Sequence, residues 1–212
     1  MKGVFISFEG PDGSGKTTQL KKAAAALREQ GYDVLESREP GGTVLAEKVR
    51  NIVLDPDLPL NNITEVLLYL AARSEHVEKV LAPAVAAGKI VLCDRFSDST
   101  LVYQGLTRGL QVEELTQLRQ LNEFASNGLV PDMTLLLDGA PEVLLGRRDA
   151  RGVSDRYENK GLDFQHAIRN GFVALAQANP ERIKIVNAEG DEAEVQALVM
   201  QEINSLLKKV KA

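Results

Sequence analysis

Val4-Phe5-Ile6-Ser7-Phe8-Glu9-Gly10-Pro11-Asp12-Gly13-Ser14-Gly15-Lys16-Thr17-Thr18 decides how the rest of the chain is read. Its first five residues are β-branched and aromatic and stop at a glycine-rich turn, the pattern of a buried strand. Residues 16–30 then place Leu20, Ala23, Ala24 and Leu27 on one helical face, with Gly31 as the stop. Between strand and helix, residues 10–17 match G-x-x-x-x-G-K-[ST] in full and in the context that confirms the motif. The glycines let backbone N–H groups curl around phosphate oxygens, and the helix adds its positive N-terminal end. Lys16 would reach the β and γ phosphates of a nucleoside triphosphate, and the Thr17 hydroxyl would take Mg²⁺.

Outward from this turn, strands alternate with helices. Strands are expected at 4–8, 32–36, 89–93, 133–137 and 182–186. Helices are expected at 16–30, 43–54, 64–87 (with Pro83 bending or dividing it), 113–127, 142–150, 163–178 and 192–209. The strand runs are continuously apolar rather than alternating. That predicts a parallel five-stranded sheet with helices on both faces, an α/β fold whose ligands sit at the carboxyl ends of the strands. No repeat, low-complexity tract or linker interrupts the 212 residues, so one domain is expected over 1–212.

Composition narrows the function. A net charge of −5 argues against a nucleic-acid binder with a broad basic surface. The lone cysteine, Cys93, cannot build a disulfide framework and fits a reducing, cytoplasmic setting. No run approaches the ~18 apolar residues of a membrane span, and residues 4–8 are too short for a secretory signal. There is no Asn-Lys-x-Asp tetrad for reading guanine, and no room for a second nucleotide-driven module.

Four further clusters stand out around the predicted site. Asp94-Arg95 directly follows a strand. The pair is either a metal-supporting carboxylate beside a phosphate-forking guanidinium or a surface salt bridge. Ser97-Asp98-Ser99-Thr100-Leu101-Val102-Tyr103-Gln104-Gly105 offers hydroxyls and an amide for a sugar or base, although alone it reads as a polar helix start. Tyr69 and Arg73 share a helix face at i, i+4. An aromatic there can stack on a base while the arginine bonds its edge; read alone, they are a core residue and a solvated charge. Arg147, Arg148, Arg151 and Arg156 lie within one short stretch, and a mobile arginine beside a phosphate loop can neutralise charge on a transferring phosphoryl group.

Together these residues resemble the bacterial thymidylate kinases, within the P-loop nucleoside monophosphate kinases, over nearly the whole chain. The resemblance rests on residues 8–18, Arg38-Glu39-Pro40-Gly41-Gly42-Thr43, residues 69–73, Asp94-Arg95-Phe96, Tyr103-Gln104-Gly105, Pro131-Asp132 and Asp155-Arg156-Tyr157-Glu158. It implies reversible transfer of the ATP γ-phosphate to dTMP with Mg²⁺, in dTTP synthesis, by a homodimer formed through helix packing. It assigns ATP to Gly10, Pro11, Asp12, Gly13, Ser14, Gly15, Lys16, Thr17 and Thr18, and metal to Thr17 and Asp94. Asp12 would also hold the sugar 3′-hydroxyl of dTMP, while Arg38 and Arg95 would bind its phosphate. Arg73 and Gln104 would bond the thymine edge, and Tyr103 would lie against the sugar beside Ser99. The family usually stacks a phenylalanine on thymine where this chain has Tyr69. Because Gly13 replaces a basic loop residue, the resemblance moves the catalytic arginine to a lid at about 147–158, as Arg151 with Arg147 in support. Lys16 and Arg95 complete the catalytic set. Rival readings are a kinase for another nucleotide or nucleoside and an ATP-dependent switch. His76, His166 and Cys93 are expected to be surface or packing residues.

Overall fold

The computed structural model describes residues 3–149 and 160–211. Five parallel strands form one sheet in the order β2-β3-β1-β4-β5: β1 (Val4–Glu9), β2 (Val34–Arg38), β3 (Ile90–Asp94), β4 (Met133–Asp138) and β5 (Ile183–Asn187). All six residues of β1 are buried, as a strand covered on both faces requires. Successive side chains point to opposite faces. Val4, Ile6 and Phe8 therefore join one core with α1 (Lys16–Glu29) and α9 (Glu192–Lys211). Phe5 joins another with Val77, Leu81 and Phe96, meeting the Phe96 ring edge-on at 4.9 Å.

The predicted helix at 43–54 is α2 (Val44–Leu54), capped by the Thr43 side chain, which accepts from the Ala46 N–H. The long predicted helix is three pieces: α3 (Asn62–His76), a π-turn (Val77–Leu81) and α4 (Ala82–Ala86), with Pro83 in the first turn of the last. Proline lacks the N–H for an interior helical bond, so it starts a new segment rather than merely bending the old one. The second strand begins two residues later than predicted, because Tyr32 and Asp33 still belong to the connection after Gly31. Residues 97–105 are helical, as α5 (Ser97–Thr100) and a second π-turn (Leu101–Gly105). The remaining helices are α6 (Val112–Ala125), α7 (Pro141–Asp149) and α8 (Gly161–Ala178).

The strand register positions the site. Arg38 of β2 pairs with Asp94 of β3, and Asp94 with Phe8 of β1, so three strand ends that carry functional residues finish in one row. The chain leaves β1 into the phosphate loop through Gly10, whose φ of 139° suits glycine. A Cβ there would stand 2.4 Å from the Leu137 carbonyl oxygen, so close passage beside β4 also demands glycine.

Candidate active site

Residues 10–17 close over their own lysine. Lys16, only 7% exposed, donates from Nζ to the carbonyls of Gly10 (3.1 Å) and Pro11 (2.8 Å). Burial and the nearby Arg95 guanidinium bring its pKa down to about 8, against the opposing pull of Asp12, Asp94 and Glu9. Gly15, at φ 85°, stands at the N-terminus of α1, leaving the first helical N–H groups directed at the loop.

Opposite the lysine, β3 ends in Asp94 and Arg95. Thr17 Oγ1 donates to Asp94 Oδ2. Arg95 stands at φ 69°, a left-handed conformation costly for a residue with a Cβ and held only where surroundings overdetermine it. Here the surroundings are plain. Its amide donates to the Phe8 carbonyl (2.9 Å) and its Nη1 to the Gly10 carbonyl and the Ser99 hydroxyl (3.1 Å each). Its Nη2 meets Asp12, and its guanidinium lies 5.1 Å from the Tyr103 ring centre. Burial works to raise the Asp12 pKa, but Arg95 and Lys16 outweigh it and hold the carboxyl below its usual range. Asp12 is thus an ionised acceptor inside the phosphate loop, with the Tyr103 hydroxyl 3.4 Å away.

Beyond Asp12 opens a cavity of about 380 Å³, lined by the phosphate loop on one side and by Arg38, Tyr69, Arg73, Ser99, Tyr103 and Gln104 on the other. Arg38 is half-exposed and paired with Glu47 at 3.0 Å. Arg73 is nearly sealed: Nε donates to Glu39 Oε2 at 2.8 Å and Nη1 to Thr100 at 3.0 Å and to Asn122, while Nη2 lies 2.6 Å from the same Glu39 oxygen.

A phosphate loop opening into a nucleotide-sized cavity matches the comparisons with known proteins. The family model described as thymidylate kinase matches residues 8–199. The chain belongs to the thymidylate kinase family. It is 50% identical to the thymidylate kinase of Synechococcus sp. (strain JA-2-3B'a(2-13)), covering 92% of this chain and 91% of that one. It is 46% identical to that of Symbiobacterium thermophilum, covering 96% and 94%. The crystal structure of thymidylate kinase from Ehrlichia chaffeensis superimposes with a TM-score of 0.77 at 35% identity, over 96% of this chain and 99% of that one.

Against this family background, the expected residues divide in two. Asp12, Gly13, Gly15, Lys16, Thr17, Arg38, Tyr69, Arg73, Asp94, Arg95, Ser99, Tyr103 and Gln104 all line the one cavity. Arg147 does not: its guanidinium donates to the backbone carbonyls of Ala188, Glu189 (2.8 Å) and Gly190 (3.2 Å), which ties α7 to the turn after β5. Arg151 and Arg156 lie outside the described residues, as does most of the expected lid.

Several residues at or behind the cavity wall carry no sequence signature of their own. Glu9 is fully buried and accepts from the Phe96 N–H (2.7 Å) and the Ser99 hydroxyl, holding the β3–α5 turn. Burial, with Asp98 adding repulsion, raises its pKa to about 7. Glu39 anchors Arg73. His76 was expected to be a surface or packing residue; it is fully buried, joined to Glu39 (3.1 Å) and to Ser37 (2.6 Å). Spacing could have flagged Glu65, because it stands four residues before Tyr69 and eight before Arg73 on α3.

Proposed function

We propose that the chain is a cytoplasmic thymidylate kinase that moves the γ-phosphoryl group of ATP reversibly onto dTMP, giving dTDP and ADP for dTTP synthesis. The observation that carries this reading is the position of Asp12. It belongs to the phosphate loop, yet meets Arg95 and Tyr103 on the wall of the cavity, so donor and acceptor would share that wall.

The acceptor phosphate would lie between Arg38 and Arg95, and its sugar 3′-hydroxyl would donate to the ionised Asp12. Tyr103 would lie against the sugar beside Ser99, Tyr69 against the base face, and Arg73 with Gln104 at the base edge. An oxygen of the dTMP phosphate attacks the γ-phosphorus, and the bond from that phosphorus to the β,γ-bridging oxygen breaks. A phosphate nucleophile needs no general base, so positioning and charge neutralisation are what the protein must supply. Lys16 and Arg95 are already gathered for this, and an anion between them would relieve their mutual repulsion. Arg151 from a lid at about 147–158 would add the catalytic charge that Gly13 cannot.

The donor set suits Mg²⁺. Thr17 and Asp94 offer hard oxygen ligands side by side, and Mg²⁺ takes one or two protein ligands and completes its shell with phosphates and water. The described residues contain no cluster of three or more His, Cys, Asp or Glu that would suggest a dedicated protein cage. When bound, the ion would neutralise charge on the β and γ phosphates. Ile63 and Leu67 on α3 and Phe124 on α6 are exposed apolar residues on two packed helices, which supports a homodimer through that face; sedimentation would check it. The described residues include no helix long and apolar enough to cross a membrane.

A coupled ADP-release assay over a panel of nucleoside monophosphates tests the function. Stimulation by dTMP above all others is expected, with loss of turnover in EDTA and recovery with Mg²⁺. No stimulation by dTMP would sink the reading, and ATP turnover without any acceptor would point to a switch instead.

A further inference from the structure

Glu65, Tyr69 and Arg73 form one stripe of α3 at i, i+4 and i+8, but only the last two line the cavity. Glu65 is 1% exposed and stands behind it. Its Oε1 receives Gln104 Nε2 at 2.8 Å and Arg108 Nη2 at 2.6 Å. A carboxylate paired with a guanidinium at that distance serves as a hydrogen-bond acceptor. Any side-chain amide that meets it must turn its NH₂ group toward it, because the reverse orientation sets carbonyl oxygen against carboxylate. Glu65 therefore decides the polarity of the Gln104 amide, and Oε1 is the end turned away from it.

Arg73 supplies the complementary half. Its Nη1 bonds Thr100, which lies one turn before Gln104, so the two base-edge groups stand side by side. A guanidinium offers donors only, and this one is held by Glu39, Thr100 and Asn122 so that it cannot swing away. The edge of the cavity thus carries a guanidinium and an amide together.

We propose that Glu65 is a positioning residue that selects the acceptor base by fixing Gln104 with its oxygen as the reading end. A pyrimidine presenting a carbonyl beside a ring N–H, as thymine and uracil do, matches this pair. Cytosine presents an amine beside an unprotonated ring nitrogen and meets donor with donor and acceptor with acceptor. A buried site built around such a pair rejects the mismatched base, because its polar groups would be left unpaired. The inference rests on the reading that the acceptor is a pyrimidine nucleotide.

Steady-state kinetics with dTMP and dCMP test it. Glu65→Gln preserves the shape but removes the obligate acceptor, since an amide can meet Gln104 either way round. The ratio of kcat/KM for dTMP to that for dCMP should fall about tenfold or more, while kcat for dTMP stays within a few-fold of the parent. Arg108→Gln removes the ion pair but leaves a carboxylate facing Gln104, and should keep the parental ratio. Should the glutamine variant fail to fold, Glu65→Met, which leaves no unsatisfied carboxylate, carries the same expectation. A parental ratio in the folded Glu65 variant, or an equal fall in Arg108→Gln, would overturn the inference alone. A parent chain that leaves dTMP unphosphorylated would overturn the proposed function and this inference together.

Discussion

Arg95 concentrates the chemistry of the site in one side chain. It is set in a left-handed backbone conformation, bonded to the loop carbonyl of Gly10, to Asp12 and to Ser99, and stacked beside Tyr103. Truncating it would remove the proposed bond to the acceptor phosphate and also untie Asp12. Arg95→Ala should therefore raise KM for dTMP strongly, by about tenfold to a hundredfold for a lost charge-assisted bond and its disordered partner. Titration of dTMP binding by calorimetry would check that the loss lies in affinity. For Arg151→Ala the opposite emphasis is expected: kcat down about a hundredfold or more with dTMP affinity nearly unchanged, as for a donor that acts on transition-state charge. If dTMP binding collapsed while turnover at saturation held, the assignment of Arg151 would fail. Asp94 and Arg95 were legible from their place after a strand. Glu39 and His76 were not, because a carboxylate or imidazole that serves another side chain has no motif, only a partner distant in sequence.

At the scale of elements, α1 couples the phosphate loop to the core. Lys16 begins it, and Leu20, Ala23, Ala24 and Leu27 bury one face against β1 and α9. Leu27 is fully buried, so Leu27→Ala should cost about 2–5 kcal/mol, measurable as a lower urea midpoint with an unchanged slope. This helix was readable because its apolar period and its stop at Gly31 are local. The segment 64–87 was harder. Its period is continuous, yet Val77–Leu81 takes a π-turn before Pro83. That choice depends on seating Val77 and Leu81 against Phe5 and Phe96, contacts a helical pattern does not encode. The same holds for residues 97–105, where a second π-turn brings Tyr103 and Gln104 onto the cavity wall.

At the scale of the whole molecule, a buried carboxyl, Glu9, ties β1 to the turn after β3 and does not line the cavity. Glu9 has a pKa of about 7 against an ordinary 4.5, so between those values the folded state holds a proton the unfolded chain has lost. Stability should consequently be highest, in this respect, below pH ~4.5, and decline as pH rises through ~7, by up to about 3 kcal/mol. Glu9→Gln, which keeps an acceptor for Phe96 and Ser99, should flatten that decline in urea midpoints measured from pH 5 to 8. An unchanged slope would show that Glu9 already carries its charge in the folded protein.

Residues 10–17 alone predicted a phosphate-binding turn between the first strand and helix, because the motif works through backbone N–H groups and a helix end that are contiguous in the chain. The alternation of apolar strands and helices likewise determined a parallel five-stranded sheet. Tertiary structure decided which carboxylates stand behind the reading groups and that Arg147 turns to the 188–190 carbonyls. It also decided that Asp12 meets Arg95 and Tyr103. These are pairings between residues tens of positions apart, and a charge's partner is chosen by the space the folded chain leaves around it, not by its neighbours in sequence.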